Sequence, residues 1–146
     1  MLRQILIEEL RNGFDKRSWH GPNLLGALRG VSPKVAARSV HGRKSIWQQL
    51  LHAAYWKHRA LTYLGSTEPF PRKGSDWPRM PAKVDMMTWK ADFEMLRELQ
   101  RVLIATVTKL PENKLKQVRV RWLLHGAAAH DVYHAGQVKL LRRLVR

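Results

Sequence analysis

Four stretches keep the 3.6-residue rhythm of helices that bury one face, glycine and proline interrupt them, and no stretch alternates like a strand. Together these predict an all-α protein, a four-helix bundle with short extra helices between helices 1 and 2 and a long loop between helices 2 and 3. With 146 residues, 45% of them hydrophobic, the chain suffices for one such domain over 1–146 with a real core. The long helices are expected to run about 20 to 27 residues each.

The first helix rests on Leu2, Leu6 and Leu10 at i, i+4, with Ile5 and Glu9 alongside, and its pattern lapses at Asn12-Gly13. Trp19-His20-Gly21-Pro22 then breaks the chain. Pro22 suits a first helical position and opens a short helix to Leu28, turning Leu24, Leu25 and Leu28 inward before Gly30 closes it. Ser32-Pro33 is a cap followed by an N1 proline, and starts another brief turn through Ala37.

Helix 2 takes Ser45 as its cap and runs to Leu64, with Gly65 as the stop. Ile46, Leu50, Ala53, Ala54, Leu61 and Leu64 form its apolar arc. A second, polar-aromatic stripe carries Ser45, Gln49, His52, Trp56, Arg59 and Tyr63, which suits either the wall of a cleft or a surface. Residues 65–82 hold Pro69, Pro71, Gly74, Pro78 and Pro81 without periodicity, so they form a long loop of the kind that is often functional, pinned by Phe70 and Trp77.

Helix 3 spans 85–110 with the stripe Trp89, Phe93, Leu96, Leu99, Leu103, Val107 and Leu110. Glu94 and Glu98 lie off that stripe as ion-pair partners for Lys90 and Arg101. Pro111-Glu112-Asn113 ends helix 3, and helix 4 runs over 118–144.

Charge is the unusual feature of the composition. Lys and Arg number 27 against 11 acids, a formal net charge of +16. Such an excess attracts phosphates and leaves nucleic acid open as a partner, but it is dispersed, as on the solvated faces of helices. The absence of cysteine excludes disulfides and any thiolate from the chain itself. Glu8 and Glu9 stand where a secretory signal needs an apolar run, and no apolar run approaches the roughly 20 residues of a membrane span. A cytoplasmic protein with no membrane partner is the expectation.

His130 and His134 of helix 4 stand at i, i+4 on one face, with Gln137, Leu123 and Leu141 on the same stripe and His125 nearly opposite. Gly126, Ala127, Ala128 and Ala129 leave room beside the rings for a helix or a ligand. Two imidazoles so spaced grip a divalent ion only with a third ligand, and an i, i+4 pair is also common on plain helix surfaces. His52, mid-way along helix 2, supplies the third ring if helices 2 and 4 are neighbours. Three neutral imidazoles suit zinc, nickel or ferrous iron and leave positions open for water or substrate. Asp131 lies about 100° round from His130, a place for orienting an imidazole rather than ligating. Tyr133 and Gln137 flank the histidine stripe, Trp56 and Tyr63 shape the cleft, and His20 is a pocket-lining candidate beside its turn.

The segment His130-Asp131-Val132-Tyr133-His134-Ala135-Gly136-Gln137, running into Lys139-Leu140-Leu141-Arg142-Arg143, resembles the closing motif of the DinB-like family. Ser45-Ile46-Trp47-Gln48-Gln49-Leu50-Leu51-His52, with Trp56 one turn on, resembles its helix 2. Trp19-His20-Gly21-Pro22 and Asp76-Trp77-Pro78 look like features of one branch. The resemblance implies a four-helix bundle, a homodimer, and a divalent transition metal held by His52, His130 and His134. It further implies a transferase or isomerase that uses an external low-molecular-weight thiol, and an open metal position acting on water or another small-molecule ligand adds a hydrolase type of enzyme. The competing class is a non-enzymatic basic helical protein that binds nucleic acid.

Overall fold

The computed structural model of the protein describes residues 1–145. Its helices are α1 (Leu2–Phe14), α2 (Leu24–Leu28), α3 (Pro33–Ala37), α4 (Ile46–Tyr63), α5 (Met86–Lys109), α6 (Glu112–Leu115) and α7 (Val118–Leu144). No strand occurs among the described residues, and no helix is long and apolar enough to cross a membrane. α1, α5, α4 and α7 close a ring in which each packs on the next, with α2 laid against α7 and α3 against α4. The expected bundle is present, with its short helices between the first two long ones.

Side-chain caps set the starts of α2, α3, α4 and α5. Ser45 and Gln48 form a reciprocal capping box at α4, the Ser45 hydroxyl accepting from the Gln48 amide at 3.2 Å. Asp85 caps α5 through the Thr88 amide at 2.8 Å, and Ser32 caps α3 ahead of Pro33. Gly65, at φ 110°, ends α4 in a conformation that suits glycine. One boundary differs from expectation: α2 starts at Leu24, not Pro22, because the Asn23 side chain accepts from the Gly26 amide at 2.7 Å and takes the cap. Glu94 also pairs with Arg97 at 3.7 Å rather than with Lys90, while Glu98 holds Arg101 as expected.

The lengths are less even than the sequence suggests. α1 has 13 residues and α4 18, against 24 and 27 for α5 and α7. Near its end α1 crosses α7 so closely that a Cβ on Gly13 would lie 2.7 Å from the Ala128 carbonyl oxygen. Beyond that crossing α2 takes over, burying Leu24, Leu25 and Leu28 beside α7.

Side-chain pairings fix the helix directions. Trp47 meets Asp92, and ten residues on Lys57 meets Gln100, so α4 and α5 run parallel. Gln49 meets His134 whereas Lys57 meets Asp131 one turn back, so α4 and α7 run antiparallel. A parallel α4 and α5 require the connecting loop to travel back along the whole of α4, roughly 27 Å at 1.5 Å per residue. That return path is why the segment after Gly65 is long, and it carries Asp76 and Trp77 past the middle of α4.

The apolar core falls into two clusters. One gathers Leu24, Leu28, Ile46, Trp47, Leu50, Leu96 and Val138; the other gathers Leu6, Leu10, Leu61, Leu103, Val107 and Leu124. Between them lies a buried polar bridge. The Lys57 ammonium donates to Asp131 Oδ2 at 2.5 Å and to Gln100 Oε1 at 2.7 Å, and Gln100 Nε2 donates to the Leu10 carbonyl at 3.1 Å. Four helices are thus joined through one ammonium. Removing one partner of a buried pair leaves the other charged and unpaired, whereas an apolar pair of similar volume is tolerated. Lys57→Met is therefore expected to destabilise the protein by about 3–5 kcal/mol in urea unfolding, and Lys57→Met/Asp131→Leu to recover most of that loss. Equal stability of the single variant and the parent would contradict the assignment.

Candidate metal centre

α4 and α7 face each other at the level where His52, His130 and His134 project, and the three rings meet. The Nε2 atoms of His52 and His130 are 3.2 Å apart, and those of His130 and His134 are 3.0 Å apart. Each residue offers one ligand atom within 4.8 Å of the others, a group that could hold a metal ion. His52 and His134 are buried and His130 partly so.

The outer nitrogens of two rings are held by acceptors. His52 Nδ1 donates to the Asp76 carbonyl at 2.7 Å, and His134 Nδ1 donates to Gln49 Oε1. A neutral imidazole carries one proton, so both rings then present the Nε2 lone pair to the shared centre. Asp76 reaches this position in the left-handed region, φ 60°, uncommon outside glycine. Its carboxylate also accepts from Trp56 Nε1 at 2.9 Å. Trp77 stacks on His52 at 3.9 Å and 14°, so the returning loop covers the cluster as well as orienting it.

Burial sets the electrostatics. It lowers His134 to about 3, with His130 and His52 adding to the effect. It lowers His130 to about 4, aided by His52 and Lys57. His52 is lowered by the same desolvation, against the Asp76 carbonyl that favours its charged form. All three rings are neutral at ordinary pH, as metal ligands must be.

The other candidate residues divide. Trp56 lies beside the cluster, its ring centroid 6.5 Å from that of His130. Tyr133 meets His134 edge-on at 5.0 Å, and Gln137 lines the same cleft as His134. Asp131 does not orient an imidazole: it is fully buried and its bond goes to Lys57, because its side of α7 faces the core. Burial pushes its carboxyl up, against the pull of the ammonium. Tyr63 stands nearly two turns beyond Trp56, half exposed, with the Arg119 guanidinium 5.6 Å from its ring, and lies outside the cleft walls. His20 is exposed, bonded to Ser18 Oγ at 3.0 Å, and shares a different cleft with Glu9 and His125. Sequence reasoning did not single out Gln49 or Asp76 as partners of the rings. Gln49 carried a signal, standing three residues before His52 on its stripe.

No curated protein and no solved structure matches the chain. The family model for the DinB superfamily matches residues 18–138, a span that takes in all three histidines, Gln49, Asp76 and most of the bundle that positions them. The chain belongs to the DinB superfamily.

Proposed function

We propose that the protein binds one divalent transition ion, zinc, nickel or ferrous iron, through His52, His130 and His134, and works as a metal-dependent enzyme of transferase or hydrolase type. The observation that carries this reading is the tautomer arrangement. With Nδ1 of His52 and His134 donating outward, two lone pairs face the centre, and a single proton on His130 Nε2 aims at only one of them. A shared cation satisfies all three nitrogens at once. Ligands about 2.0–2.1 Å from a common ion stand roughly 3.0–3.4 Å apart, and the observed separations of 3.0 and 3.2 Å fit. A captured proton is the poorer solution, since burial holds these rings well below their ordinary basicity.

An ion held by three neutral imidazoles keeps open positions and supplies Lewis acidity that acidifies water or an external thiol. The chain's own part is to orient and shield. Gln49 and the Asp76 carbonyl fix the ring planes, Trp77 excludes water from the His52 face, and Trp56 walls the His130 side. No cysteine exists to compete for the ion or act as the nucleophile, so a thiol co-substrate would come from outside.

The positive charge gives less support to a nucleic-acid role, because several cations are engaged within the fold. Arg3 donates to the carbonyls of Val107 and Leu110 at the end of α5, and Arg142 to those of Ala27 and Arg29 at the end of α2. Arg72 holds Asp92, and Lys57 is buried.

Elemental analysis of untagged protein is expected to find about one transition ion per chain, and His130→Ala to abolish it. Gln49→Leu, which removes a bond to a ligand ring, is expected to weaken zinc binding about 10- to 100-fold in a competitive titration. Metal content unchanged by His130→Ala would retire the reading.

In metal-free protein the depressed basicity of these rings should itself show in stability. Unfolded histidines take up protons near pH 6.5, whereas folded His130 and His134 do so only near about 4 and about 3. The unfolded state then gains more protons on acidification, so stability is complete above pH 6.5 and falls as pH drops toward about 4. Urea midpoints measured across that window should decline, and His130→Asn/His134→Asn should flatten the decline. A level or rising midpoint in the parent would contradict the assignment.

A further inference from the structure

Two cavities flank the histidine cluster, His134 lining one and His130 the other, and taken together as one groove they have ends that differ in chemistry. Past His134 the groove is lined by Arg43, Lys44, Tyr133 and Gln137 around a cavity of about 210 Å³. Past His130 it is lined by Trp56, Trp122, Leu123 and Ala127, together with Lys57 and Asp131, whose charges are paired with each other, around a cavity of about 160 Å³. Fourteen residues of α7 separate Gln137 from Leu123, roughly 21 Å along the helix. At the basic end Lys44 Nζ stands 5.3 Å from the Trp77 ring centroid, and that ring in turn stacks on His52. The ammonium is thereby kept beside the cluster. Among the described residues neither Arg43 nor Lys44 forms an ion pair, and no acidic side chain lines that end. At the other end Gly126 and Ala127 hold α7 low between Trp56 and Trp122, leaving an apolar slot.

We infer that the substrate is an amphipathic organic anion: its anionic group sits against Arg43 and Lys44, its apolar body between Trp56 and Trp122, and its reacting group at the histidines between. The inference rests on the proposal that the histidine cluster is the reactive centre. Unpaired cations select the charged end, because hydrogen bonds to a charged group are stronger than those to a neutral one. The tryptophans select the other end, since they give apolar contact area while Trp56 Nε1 is spent on Asp76 and the Lys57 and Asp131 charges on each other. A molecule with only one of the two features fills half of the groove. Glu9, His125 and His20, at the separate cleft, take no part.

Calorimetric titrations with 10-phenyldecanoate, an acid long enough to reach from Arg43 and Lys44 to the tryptophans, its amide 10-phenyldecanamide, and butyrate test this on the full chain, both metal-stripped and zinc-loaded. The acid is expected to bind about tenfold or more tighter than the amide and than butyrate, in both forms of the protein. Arg43→Ala/Lys44→Ala should remove the preference for acid over amide and leave amide affinity unchanged. Trp122→Ala should weaken acid and amide together and leave butyrate unaffected. Equal affinity for acid and amide, or no binding of either, overturns the inference. Preference for the acid only in zinc-loaded protein, insensitive to Arg43→Ala/Lys44→Ala, also overturns it while leaving the metal reading intact. Preference that depends on Arg43 and Lys44 in a protein unable to retain zinc supports the groove and removes the metal.

Discussion

The buried ion pair between Lys57 and Asp131 governs the relation of α4 to α7. Apolar side chains alone tolerate a slide of one helix along another, because one leucine packs much like the next. A charge 2% exposed does not, since a shift by one turn would strand both the ammonium and the carboxylate in the core. Gln100 extends the constraint to α5, and through the Leu10 carbonyl to α1. Only in this register does His52 come level with His130 and His134. The pair ligates nothing itself, yet the cluster's geometry depends on it, and the Lys57 ammonium also helps lower His130.

The cluster is a second layer on that scaffold. Helix spacing stacks His130 and His134, the register brings His52, and the loop that must return along α4 delivers Asp76 and Trp77 to the same height. A bundle in which α4 and α5 ran antiparallel would need only a short turn there and would have no cover for His52. The connection therefore does more than join helices. Its left-handed residue, Asp76, carries both the carbonyl that orients His52 and the carboxylate that holds Trp56. Backbone strain of this kind persists where surrounding contacts fix it.

Much of this was legible in the sequence. The caps Ser32, Ser45 and Asp85, the stripes of α4 and α5, the long loop and the His130/His134 pair follow from local rules. The buried pair was also legible in part: Lys57 interrupts the arc Ala53, Leu61, and Asp131 interrupts the arc Leu124, Ala128, Ala135, Val138. Opposite charges on two core-facing arcs signal a buried bridge, whereas a helical-wheel angle measured from His130 alone points to an orienting role. What periodicity cannot give is helix direction. The parallel course of α4 and α5, and hence the passage of Asp76 beside His52, depends on pairings far apart in the chain. Tyr63 shows the converse limit, since it shares a stripe with His52 yet lies beyond the end of the cleft.

The histidine centre rests on three Nε2 atoms that converge on one point while the Nδ1 protons of His52 and His134 point outward. Long-range ¹H–¹⁵N correlation spectra of histidine-labelled protein report the tautomer and ligation of each ring directly. Protonated Nδ1 is expected at His52 and His134, with a shift of all three Nε2 resonances on addition of about one equivalent of zinc. Protonated Nε2 at His52 and His134, with zinc moving none of the three, would contradict that arrangement.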